Sequence, residues 1–105
     1  MKVNELKAYI LIKDYVPVGH AVNSAAHASL AMWLKFGDRP LVKAWMENSF
    51  KKVSCVVSPQ QFEEAKKFLD HVVITESSFD DEELVIAFAP RADWPTFFKG
   101  LKLYQ

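Results

Sequence analysis

Hydrophobic residues along this chain are spaced with two periods. Lys7 to Lys13, KAYILIK, holds Tyr9-Ile10-Leu11-Ile12 without a break, as expected of a short strand buried on both faces. Asp14 to Gly19 reads as a turn, and the stretch Pro17 to Phe36, PVGHAVNSAAHASLAMWLKF, runs from a Pro-Val-Gly turn into one long helix over His20 to Phe36. That helix is apolar almost all round, so the pattern predicts that it is largely buried. Its small residues, among them Ala21, Ala25 and Ala28, let the backbone lie close to whatever it covers. Gly37 is its stop. Asp38-Arg39-Pro40 starts a shorter helix with Pro40 in the first turn. There Leu41, Ala44 and Trp45 keep helical spacing, and Asn48-Ser49 ends it.

Lys52 to Val57, KVSCVV, is a second strand. Ser58-Pro59-Gln60-Gln61 then opens a helix: Ser58 caps, Pro59 occupies the first helical position and Gln61 completes a capping box. Phe62, Ala65, Phe68 and Leu69 form its inner stripe, with Glu63 and Lys67 paired four apart on the outside. His71 to Thr75 is a third strand, Glu76 to Glu83 a polar acidic loop, and Leu84 to Ala89 a fourth strand stopped by Pro90. Asp93 caps a last helix carrying Trp94, Phe97, Phe98 and Leu101. The order β-α-α-β-α-β-β-α predicts a three-layer α/β fold, a four-stranded mixed sheet with helices on both faces. Strands joined through helices run parallel. The third and fourth, joined by a short loop, are antiparallel or not adjacent.

Composition narrows the class. A chain of 105 residues makes one domain, 1–105, with a single core. Thirteen basic and thirteen acidic residues give a net charge of zero, which provides no strong nucleic-acid signal. Cys55 is the only cysteine, so no internal disulfide forms and a reduced, cytoplasmic setting is expected. The charged start MKVNELK has no signal-peptide pattern, and no apolar span is long enough to cross a membrane.

Chemically useful groups concentrate on the long helix. His20, Asn23, Ser24 and His27 fall within a sector of roughly 100°. His20 starts the helix at the carboxyl end of the first strand, the edge where open α/β sheets collect ligands. It is a candidate base, or a surface or capping histidine. Glu76 ends the third strand and is expected to orient the His20 imidazole for water activation, or to be one more acid in a solvated loop. His27 lies two turns on, roughly 10.5 Å along the axis, too far to share a metal with His20. It reads as a buried histidine that holds the helix in place, and Asn23 and Ser24 either line the site or satisfy nearby backbone. No metal motif and no cofactor motif is present. Cys55 reads as a packed thiol, Asp80 to Glu83 as a solvated acidic run, and Trp33, Trp45 and Trp94 as core or interface residues.

The first strand YILIK, Gly19-His20, Ala26-His27-Ala28 and the closing strand Val85-Ile86-Ala87-Phe88-Ala89-Pro90 together resemble the type II peptidyl-tRNA hydrolase fold, in a divergent branch. The resemblance covers nearly the whole element order. Counted back from His27, the family's catalytic lysine falls on His20, its other turn lysine on Val18 and its glutamine on Ser24. Its aspartate falls on Glu76. The resemblance thus implies a hydrolase of an ester or amide bond with altered site residues. His20 is then the base and Glu76 its orienter, Gly19 and the helix amides receive an anion, and Asn23, Ser24 and His27 line the site. The partner it implies is a small anionic ligand or a tRNA-derived substrate. The competing expectations are a non-catalytic domain binding a small ligand or protein at the same edge, and a homodimer formed through a Trp-bearing helix.

Overall fold

The structure, a computed structural model, describes residues 5–105. Residues 1–4, on which the signal-peptide reading partly rests, lie outside the described residues. Strand β1 (Lys7–Lys13) is followed by helices α1 (Val18–Phe36) and α2 (Pro40–Glu47), strand β2 (Lys51–Val57), helix α3 (Pro59–Ala65) and strand β3 (His71–Glu76). A 3-10 turn (Ser77–Phe79), strand β4 (Glu82–Phe88), helix α4 (Thr96–Lys99) and strand β5 (Lys102–Leu103) complete the chain.

The fold is α/β with a mixed sheet of five strands in the order β3-β4-β1-β2-β5. The four-stranded expectation is corrected by β5. Its two residues pair antiparallel with Cys55 and Val56, a segment too short to carry a hydrophobic period. β1 occupies the middle, parallel to β2 and antiparallel to β4, and its five central residues are buried, as its unbroken apolar run requires. β3 and β4 pair antiparallel. The acidic loop between them is shorter than expected, because β3 extends to Glu76 and β4 begins at Glu82. Asp80 and Asp81 turn the chain in the left-handed region, at φ 53° and 59°, which Asp tolerates better than most residues.

Hydrophobic side chains alternate across the sheet into two cores. Ala8, Ile10, Ile12, Val85 and Ala87 face α1 and α2. Tyr9, Leu11, Cys55, Ile86 and Phe88 face α3 and α4. Helices therefore cover both faces. α1 buries Ala21, Ser24, Ala28, Met32 and Phe36, a stripe of small residues at its start and large ones at its end. It is not buried all round: Val18, Val22, Leu30 and Leu34 are exposed, between 59% and 76%. A single layer of helix over a sheet has one inner side, whatever the composition of the other. Gly37 follows α1 for reasons of space: a Cβ there would lie 2.4 Å from the Trp33 carbonyl oxygen, and its φ is an ordinary −66°.

Two other helices are shorter than predicted. α3 keeps its capping box, Gln61 N–H donating to Ser58 Oγ (3.1 Å) and Ser58 N–H to Gln61 Oε1 (2.9 Å), but it ends at Ala65. The chain then turns through Asp70, φ 64°, into β3, which leaves Leu69 82% exposed rather than on an inner stripe. Lys66, not Lys67, pairs with Glu63 (2.9 Å) and also with Glu83. α4 spans four residues and begins after Pro95, with no side-chain cap from Asp93. Trp94 and Leu101 flank it and are buried in the same aromatic core.

Candidate functional site

β1, β2 and β3 run in one direction, because β1 and β3 are each antiparallel to β4. Their carboxyl ends, Lys13, Val57 and Glu76, therefore reach the same edge of the sheet, where α1 begins. α1 packs on β4 and β3, so its polar flank faces the end of β3. Between them lies a cleft of about 470 Å³ lined by Asn23, Ser24, His27, Ile74, Thr75 and Glu76, with Ala26 at its margin. Ser24 is 3% exposed and forms its inner wall. Four residues singled out from the sequence thus converge on one concavity.

His20 lies one turn before Ser24 on α1 and is not among the residues lining this cleft. It is half-buried, and its ring stands edge-on to Phe79, centroids 5.0 Å apart with an interplanar angle of 88°. Phe79 belongs to the 3-10 turn directly after Glu76, so one short segment supplies both a carboxylate and the surface that orients the imidazole. His27, expected to be buried, is exposed. It lies on the outer shoulder of the buried Ser24-Ala28 stripe, where a helix turning about 100° per residue must place it.

Glu76 has its own partner. Its Oε1 accepts from Ser78 N–H (3.3 Å) and Ser78 Oγ–H (3.1 Å). These bonds hold its carboxyl below the usual carboxylate range, with the nearby His20 and His27 charges lowering it further. The hydrogen bond that Glu76 makes is therefore to Ser78 and not to an imidazole. Gly19 lies in the first turn of α1, and a Cβ there would meet nothing within 4 Å. The space above these amides is open. At the same rim the Tyr15 hydroxyl donates to Glu82 Oε2 (2.5 Å), which pushes the phenol up to about 12.

Sequence reasoning missed Ser78 and Phe79, since a loop reading of residues 76–83 assigns no directions to its side chains, and it gave Thr75 no role beyond ending a strand. The one available signal was a hydroxyl two residues after a carboxylate, the spacing of a local turn bond. Cys55 is buried among apolar neighbours, and burial pushes its thiol up, as a packed thiol requires. Trp45 and Trp94 are core residues, whose indole N–H groups donate to Lys51 O (2.8 Å) and to Lys7 O and Arg91 O (each 3.0 Å). Among the described residues no three metal-binding side chains converge, and no helix is long and apolar enough to cross a membrane. No protein-family model matches the chain, and neither does any curated protein sequence.

Proposed function

We propose that the cleft between α1 and the end of β3 is a hydrolytic site acting on an ester or amide bond of a small anionic substrate, with His20 as general base. The reading is carried by one observation: Glu76 lines an open cleft with Asn23, Ser24 and His27, and the His20 ring packs on Phe79, three residues after Glu76. An imidazole is suited to general base work because its ordinary pKa lies near neutrality. His20 is preferred to His27 because Phe79 fixes its ring, whereas His27 projects into solvent. Both Ser78 bonds go to Glu76 Oε1, which leaves Oε2 to accept from an imidazole N–H. Asn23 and Ser24 supply polar contacts to the bound group, and the open first turn of α1 at Gly19 receives its negative charge. The sequence's resemblance to type II peptidyl-tRNA hydrolases makes the ester of a tRNA-derived substrate the first to test.

A second reading, a binding domain without turnover, is favoured by the two Ser78 bonds that already hold Oε1 of the carboxylate. Purified protein is assayed on peptidyl-tRNA and on a small activated ester, beside His20→Ala, His27→Ala and Glu76→Gln. A general base contributes on the order of 10² to 10⁴ in rate, so His20→Ala is expected to lose at least about 100-fold in kcat while His27→Ala loses less. Equal turnover by the wild type and His20→Ala rules out this base. Binding at the cleft with no turnover by any of the four proteins establishes the second reading.

A further inference from the structure

The opposite flank of α1 borders a second concavity, and nothing assigned to the first cleft accounts for it. By register, β2 sets Lys52, Ser54 and Val56 on the same face as Ala8, Ile10 and Ile12. The β1 residues are buried, but Lys52 is exposed and Ser54 and Val56 are only half-buried, while Cys55 and Val57 on the other face are buried. The helical layer thus closes over β4 and β1 and stops short of β2. The gap is a groove of about 510 Å³ with Ile10 as its floor. Leu30 and Trp33 of α1 form one wall, and Trp45, Met46 and Phe50 form the other. Leu30, Met46 and Phe50 are 59%, 38% and 48% exposed, an apolar surface that water covers at a cost.

Lys52 is the single charged residue on this lining. Its Nζ lies 3.4 Å from the Phe50 ring centroid and 5.4 Å from that of Trp45, and donates to the Phe50 carbonyl at 3.3 Å. Among the described residues it has no carboxylate partner within ion-pair distance, and residues 1–4 contain no acidic side chain. Partial desolvation lowers its pKa. A cation held over aromatic rings at the mouth of an apolar groove lacks one thing, a counter-charge attached to an apolar body.

We infer that the groove between α1 and β2 binds a small amphipathic anion, a flat or chain-like apolar carboxylate whose head pairs with Lys52 and whose body lies between Trp33 and Phe50. The volume is in the range of pockets that enclose small ligands. A second copy of the chain fits less well. Self-docking through a two-fold axis brings the same patch to itself, and this lining offers Lys52 no carboxylate.

The test titrates the full chain with 2-naphthoate and follows tryptophan quenching, since Trp33 and Trp45 line the groove and Trp94 lies in the opposite core. Saturable quenching below about 1 mM is expected. Lys52→Gln is expected to weaken binding about tenfold and Lys52→Arg to retain most of it. 2-Naphthol, with the same body and no charge, should also bind about tenfold more weakly. Ser29→Phe, which fills the groove from the α1 side, should abolish quenching while the far-ultraviolet circular dichroism stays native. Equal affinity for naphthoate and naphthol, equal affinity of the wild type and Lys52→Gln, or no saturation in the millimolar range each overturns the inference. So does a dimer in solution that Ser29→Phe converts to monomer, since the occupant is then a second copy.

Discussion

Phe98 is where a single truncation should do most damage. It is 1% exposed, and five rings surround it: Trp94 at 4.7 Å, Phe88 at 5.0 Å, Phe68 at 5.1 Å, and Tyr9 and Phe97 at 5.2 Å. Truncating a buried Phe to Ala costs about 3–5 kcal/mol, the upper part where the site cannot collapse. Stiff rings have few rotamers with which to fill a void, so about 4 kcal/mol is expected. α4 has four residues and no stability of its own, so the attachment of α4 and β5 rests on this side chain and its neighbours. A shift in melting temperature of roughly 15–30 °C follows for a domain of this size. Cys55 reports the same event chemically. It is buried in the core that holds Phe98 and is the only thiol, so a thiol reagent reaches it only through an opening. If labelling tracks the population of the open form, Phe98→Ala should accelerate it about 10³-fold, at tenfold per 1.4 kcal/mol. Phe98→Leu, which keeps most of the volume, should cost about 1 kcal/mol, and Phe97→Ala, at a half-buried position, about as much. A Phe98→Ala protein labelled within threefold of the wild-type rate, with a melting point moved by only a few degrees, would refute the anchoring role.

Two further outcomes follow from local chemistry. Ser58→Ala removes one bond of the capping box and should cost about 1 kcal/mol, read as a lower thermal midpoint that Ser58→Asp largely restores. Glu82→Gln removes the carboxylate that accepts from Tyr15, so a phenol that ionises at about 12 should return towards 10. The raised pKa means that the protonated phenol contributes stability below its unfolded pKa, and that this contribution is lost as pH rises through about 12. Ultraviolet titration of the wild type and Glu82→Gln checks both points, and superimposable curves refute the bond.

Much of this architecture is legible in the residues. The unbroken YILI run read as a strand buried on both faces, since each alternate side chain needs a covered face, and the structure buries it there. Ser58 and Gln61 announced their capping box because both partners lie within one turn. The sector holding His20, Asn23, Ser24 and His27 was a matter of helical angle, and all of these but His20 line one cleft with Glu76. The short connection between β3 and β4 left them antiparallel or not adjacent, and the structure pairs them antiparallel.

Tertiary structure decided the rest, wherever the outcome depended on a neighbour distant in sequence. Only the arrangement of layers exposes Val22, Leu30 and Leu34 on a helix whose composition reads as buried, and only the gap above β2 turns Lys52 from a surface charge into the rim of an apolar groove. Phe79 meets His20 across 59 positions of chain, and Lys102-Leu103 become a strand because β2 offers an unpaired edge. Local bonds and periods are set within a few residues, so a sequence carries them openly. Which side of an element stays uncovered depends on elements that meet only after the chain has folded.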